Sequence, residues 1–140
     1  MKTLHVSLSV KSVPESVAYY EGLFGRAPDV VKPDFAKWWL EDPKVNFALN
    51  GTAGEPGLNH LGIEVEDVAD LAPYYERAKE AGDFAEEGNT DCCYANSTKG
   101  WAADPQGISW ELFTTHEYLH EGSGSMRLEP AEACPTACCA

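Results

Sequence analysis

One spacing constrains this chain more than any other feature. His5 opens an alternating run, His5-Val6-Ser7-Leu8-Ser9-Val10, and lies fourteen residues before the first member of Tyr19-Tyr20. His60 opens a second run, His60-Leu61-Gly62-Ile63-Glu64-Val65, and lies fourteen residues before the first member of Tyr74-Tyr75. The interval between the two is 55 residues, 60 minus 5. Period-two alternation marks a strand with one buried face, and a shared register of histidine, strand and Tyr-Tyr pair marks an internal repeat. Two such units fill most of the 140 residues, so the chain is too short for a large multidomain enzyme.

Each half predicts the same element order. A helix over Pro14 to Leu23 carries proline at its start and Gly25 just past its end. A second helix runs from Asp67 to Ala81 and is closed by Gly82. Short strands follow at Asp34–Leu40 and Lys44–Asn50, with a further one around Ala27–Lys32. In the second half they fall at Cys92–Ser97, Lys99–Asp104 and Ile108–Thr114. Asp42-Pro43 and Asp104-Pro105-Gln106-Gly107 mark turns, and Gly51–Gly57 links the halves. The expected fold is α+β, with two paired βαβββ modules (residues 1–50 and 57–115) forming a half-barrel with a metal site. Residues 116–140 read as a flexible cysteine-rich tail, since Gly, Ser, Pro and Glu replace any sustained apolar face.

Charge narrows the partners. Ten basic against 23 acidic residues leave a formal charge of −13. Such a surface repels phosphate backbones and anionic membranes, so neither nucleic acid nor a membrane is an expected partner. No apolar run approaches the roughly 18 residues of a spanning helix, and the start reads as a strand rather than a signal peptide. A cytoplasmic protein is expected. No phosphate-binding loop, G-x-S-x-G or G-x-G-x-x-G occurs.

The chemistry sits where the repeats overlay. Asn46-Phe47-Ala48-Leu49 aligns with Ser109-Trp110-Glu111-Leu112, so Glu111 stands where the first half has Ala48. From Ala48 to Glu111 is 63 residues, and the surplus of 8 over the repeat lies between the second helix and the last strand. Pseudo-twofold packing would bring His5 and His60 together, and Glu111 would join them. Two imidazoles and one carboxylate form a facial triad with open positions, suited to Fe(II) with substrate and O₂, or to zinc with water. The alternative is a pair of strand histidines satisfied by hydrogen bonds. Alanine cannot coordinate, so Ala48 keeps the site at three protein ligands.

Cys92, Cys93, Cys134, Cys138 and Cys139 are an odd number, with two adjacent pairs. Adjacent thiols in a chain without a secretory signal suggest capture of a soft ion such as As(III), Cd(II) or Hg(II) rather than a disulfide frame. The alternative is ordinary partly buried cysteines, and a tail that is dispensable.

The paired modules with His5, His60 and Glu111 resemble the vicinal oxygen chelate (glyoxalase/bleomycin-resistance/extradiol dioxygenase) superfamily. Asp91-Cys92-Cys93-Tyr94-Ala95, followed by Asp104-Pro105-Gln106-Gly107 and Trp110-Glu111, is similar to its cadmium-induced protein and organoarsenical carbon–arsenic lyase branch. That resemblance implies Fe(II) on His5, His60 and Glu111, with other divalent metals entering purified samples. It implies a trivalent organoarsenical held by Cys92 and Cys93, with O₂ as co-substrate and arsenite as product. Cys134, Cys138 and Cys139 would be accessory thiols. Two other functions stay open: a cadmium- or metalloid-binding resistance protein without catalysis, and another chelate-superfamily enzyme that does not need the cysteines. A homodimer fits a half-barrel with an exposed apolar edge.

Overall fold

The computed structural model describes residues 2–52, 54–92 and 95–118. Eleven elements follow in order: β1 (Thr3–Ser9), α1 (Val13–Phe24), β2 (Val30–Lys32), β3 (Phe35–Glu41), β4 (Lys44–Asn50), β5 (Gly57–Glu64), a 3-10 turn (Val68–Asp70), α2 (Leu71–Ala81), β6 (Phe84–Cys92), β7 (Ala95–Ala103) and β8 (Ser109–Tyr118). All eight strands join one sheet in the order β2-β3-β4-β1-β5-β8-β7-β6, open at both edges. This is the expected α+β arrangement of two βαβββ modules. The modules meet along β1 and β5, which are antiparallel, while β1–β4 and β5–β8 are each parallel.

The register locates the symmetry axis. His5 pairs with Gly62, Val6 with Leu61 and Ser7 with His60. Adding the 55-residue repeat turns His5 into His60 and Ser7 into Gly62, so the axis passes through the Val6–Leu61 pair. Ser7 faces Ala48, an offset of 41, and Gly62 faces Glu111, an offset of 49. The difference of 8 confirms the Ala48–Glu111 equivalence. The β6–β7 hairpin, Phe84 to Ala103, is longer than its counterpart, Val30 to Glu41, by the same 8 residues and so holds the surplus.

Each helix covers one half of the same sheet face. Ser12 caps α1, its Oγ accepting from the Glu15 amide at 3.2 Å, and Gly25 ends it at φ 72°, a backbone that a side chain disfavours. Val13, Val17, Tyr20 and Phe24 pack on Ala36, Trp38, Phe47 and Leu49. In the second half Leu71, Tyr74, Tyr75 and Ala78 pack with Val65, Leu112, Ile63 and Phe84. The Tyr-Tyr repeat now has a cause: Tyr20 and Tyr75 are the equivalent members that face the sheet, while Tyr19 is 64% exposed.

Four boundaries differ from the sequence expectation. Phe84–Cys92 is a strand, whereas the sequence pattern began the second half's strands at Cys92. β6 is an edge strand of Glu86, Glu87, Asn89, Thr90 and Asp91, so it lacks the apolar period that marks a buried one. The expected strands Cys92–Ser97 and Lys99–Asp104 are replaced by the end of β6 and one strand, β7. The expected helix start at Asp67 is a 3-10 turn capped by the Asp67 carboxylate, and α2 proper begins at Leu71. β8 also runs on to Tyr118, past the point where the sequence pattern fades. Cys93 and the tail with Cys134, Cys138 and Cys139 lie outside the described residues. No helix among the described residues is long and apolar enough to cross a membrane.

Candidate metal centre

Strand alternation sends every second side chain to the sheet face opposite the helices. With Phe47, Leu49, Ile63 and Leu112 committed to the helices, that other face receives His5, His60 and Glu111. The three are 4%, 3% and 6% exposed. His5, Gly62 and Glu111 fall on adjacent strands in one row across the sheet. Gly62 makes that row fit: a Cβ there would stand 2.6 Å from the Glu111 carbonyl oxygen and 3.2 Å from His5 Cδ2. The sequence pattern did not single out Gly62, although the repeat marks it as the counterpart of Ser7.

The three side chains converge. His5 Nε2 lies 3.1 Å from His60 Nε2, and Glu111 Oε1 lies 3.7 Å from each of them. One ligand atom from each residue lies within 4.8 Å of the others, the only such cluster of His, Cys and acidic side chains among the described residues. The second carboxylate oxygen is held elsewhere, accepting from Lys99 Nζ at 2.8 Å. Lys99 is itself buried and was not anticipated from the sequence. Phe113 packs edge-on against His5 at 5.3 Å and Trp101 against His60 at 5.1 Å, so the site is walled by rings.

The outer atoms of the imidazoles fix what the inner atoms can do. His5 Nδ1 lies 3.1 Å from the Asn46 main-chain oxygen, which can only accept. His60 Nδ1 lies 2.7 Å from Asn59 Oδ1, also an acceptor. Both Nδ1 atoms therefore carry hydrogen, and both Nε2 atoms present lone pairs inward. Two such lone pairs and a carboxylate oxygen face one buried space, and the Lys99 ammonium meets only the outer carboxylate oxygen. A proton on His60 Nε2 donated to Glu111, or a cation between the three atoms, relieves that repulsion. Burial pushes His5 down to about 3, and the charges of Lys37 and His60 add to this against the pull of Glu111. Burial alone would raise Glu111, but the His60 imidazole, the Lys99 ammonium and His5 outweigh it and hold the carboxyl below its ordinary range. The donor set of two nitrogens and one hard oxygen fits a divalent transition metal.

Cys92 closes β6 at the other end of the hairpin. It pairs with Ala95, and Ala95 with Tyr118, seven residues beyond Glu111 on β8. That is about 20 Å of extended strand. The structure thus unites the three metal-type ligands and sets the Cys92 backbone apart from them.

This open sheet of two repeated modules, with a two-histidine, one-carboxylate cluster astride the repeat axis, defines a class of protein. The chain belongs to the Glyoxalase/Bleomycin resistance protein/Dioxygenase superfamily, whose family model matches residues 2–112. It is 39% identical, over an alignment of 150 residues, to a trivalent organoarsenical cleaving enzyme of Bacillus sp. (strain MD1), covering 98% of this chain and 93% of that one. It is 31% identical to the cadmium-induced protein CadI of Mycobacterium bovis, covering 99% and 93%. A solved superfamily member from Vibrio splendidus 12B01 shares the fold at TM-score 0.55 and 15% identity, covering 82% of this chain and 99% of that one.

Proposed function

We propose that this chain is a carbon–arsenic lyase that converts a trivalent organoarsenical and O₂ to arsenite and the oxidised carbon group, the aldehyde for a methylarsenical, using Fe(II) held by His5, His60 and Glu111. The convergence of His5 Nε2, His60 Nε2 and Glu111 Oε1, with the Nδ1 atom of each imidazole committed to an oxygen, carries the metal part of this reading. Support for the substrate comes from relatives named as trivalent organoarsenical cleaving enzymes at 35–39% identity.

Fe(II) in such a triad would supply exchangeable positions and the redox chemistry that activates O₂. The chain's own residues do the rest. Main-chain and amide oxygens aim the imidazoles, and Lys99 turns one carboxylate oxygen of Glu111 toward them. Ala48, where the repeat would place a fourth ligand, leaves room for substrate. Cys92 and Cys93, as thiolates, are soft donors matched to As(III). Carrying a thiol-held arsenical to the triad calls for a bent β6–β7 hairpin. The β6–β7 pairing is irregular between Glu86 and Gly88, with Gly88 at φ 77°, and the β7–β8 pairing is irregular between Asn96 and Ser97.

The test is direct. Reduced protein is loaded anaerobically with Fe(II), mixed with a trivalent methylarsenical and exposed to O₂, and arsenite is measured by chromatography with arsenic detection. Iron-dependent arsenite is expected. No arsenite, with iron and arsenical both bound, overturns the reading. Stoichiometric Cd(II) binding that survives His60→Ala, without O₂ consumption, would instead identify a thiol-based sequestration protein.

A further inference from the structure

The two triad histidines are oriented by different means. His5 leans on main chain, the Asn46 carbonyl oxygen, which no substitution removes. His60 leans on a side chain, Asn59 Oδ1 at 2.7 Å. The same Asn59 amide donates through Nδ2 to Ser9 Oγ at 3.1 Å, across the seam between the repeats. The other half uses the same strand position in the same way. Its equivalent, 55 residues on, is Glu64, and Glu64 Oε1 accepts from Asn46 Nδ2 at 3.2 Å. Each half thus sends an asparagine amide to the same strand position of the other half, and each of those asparagines also holds the Nδ1–H of one triad histidine.

We propose that Asn59 is a positioning residue for the metal centre: its oxygen keeps His60 in the Nδ1–H tautomer with Nε2 facing the cation, and Ser9 Oγ anchors the nitrogen end of the same amide. A reversed amide would present N–H to Nδ1, move the ring proton to Nε2 and remove a ligand. The inference rests on the metal reading above. Outer partners of ligating histidines are worth about ten- to a hundred-fold in metal affinity.

Zn(II), which is diamagnetic, is the probe. Its affinity is measured by competition with a chromophoric chelator, and long-range ¹⁵N spectra of the Zn(II)-loaded protein report the state of each imidazole nitrogen. In the parent protein His60 is expected to bind through Nε2 and to carry a slowly exchanging Nδ1–H. Asn59→Ala is expected to lose about ten- to a hundred-fold in affinity and the protection of that hydrogen, with His5 unchanged. Asn59→Asp, which still accepts from Nδ1–H, is expected to restore affinity to within a few-fold, and Ser9→Ala to fall between. A merely structural role would show no such rescue and would move the melting temperature of the metal-free protein instead. Equal affinity in Asn59→Ala, or His60 bound through Nδ1, overturns the inference alone. Failure of the parent protein to bind Zn(II) overturns the metal reading and this inference with it.

Discussion

Gly62→Ala is the smallest change that should separate the triad. The added Cβ would lie 2.6 Å from the Glu111 carbonyl oxygen, 3.2 Å from His5 Cδ2 and 3.3 Å from Glu111 Cβ. Close carbon–oxygen contacts between neighbouring strands settle at about 3.3 Å, so β8 must retreat by about 0.7 Å at Glu111. Metal–ligand distances tolerate only about 0.2 Å. The row His5–Gly62–Glu111 is therefore pushed apart by several times what a coordination sphere accepts. Overpacking of this kind costs about 1–3 kcal/mol of stability, several degrees of melting temperature in a domain of this size. Metal affinity should fall at least about ten-fold, the equivalent of about 1.4 kcal/mol. Calorimetric melting of the metal-free protein and chelator competition for Zn(II) check both. A variant that melts and binds like the parent would refute the claim that the missing side chain at position 62 is what lets His5 and Glu111 meet.

Three further outcomes are expected. Lys99→Met strips a buried carboxylate of its ammonium and should cost about 3–5 kcal/mol in the metal-free protein; divalent metal should then raise its melting temperature more than the parent's. The metal-free protein should also weaken in acid. His5, held at about 3 when folded against 6.5 when unfolded, leaves the unfolded chain binding the extra proton, so stability falls as pH drops from 6.5 toward 3. Glu111, depressed in the fold, acts with the same sign below the ordinary carboxylate range. Urea midpoints across this range should show a slope of about 1.4 kcal/mol per pH unit per proton, shallower in His5→Gln. Cys92→Ser and Cys93→Ser should each abolish arsenite formation while Zn(II) affinity stays at the parent value; parent-like turnover in either would remove the thiols from the site.

The repeat made much of this architecture legible. His5 and His60 at one spacing, with Tyr20 and Tyr75 as equivalent core residues, were enough to expect two modules back to back. The Ala48–Glu111 overlay needed only the surplus of 8 residues to be assigned to one connection, and the sheet registers bear it out. What stayed hidden depends on register rather than on pattern. β6 is polar because it is an edge strand, so hydrophobic period could not find it. Lys99 looks like any surface lysine until β7 pairs with β8 and sets it beside Glu111. Gly62 and Asn59 matter through neighbours 49 and 50 residues away, Glu111 and Ser9, and only the folded sheet reveals those distances as contacts.

Everything proposed for this protein rests on His5, His60 and Glu111 holding one metal ion. X-ray absorption of the Fe(II)-loaded protein, before any arsenical is added, is the decisive experiment, with His5→Ala, His60→Ala and Glu111→Ala alongside. One iron per chain, nitrogen and oxygen neighbours only, and loss of the ion in each variant are expected. Sulfur neighbours, or iron that survives all three substitutions, would overturn the triad as the metal site.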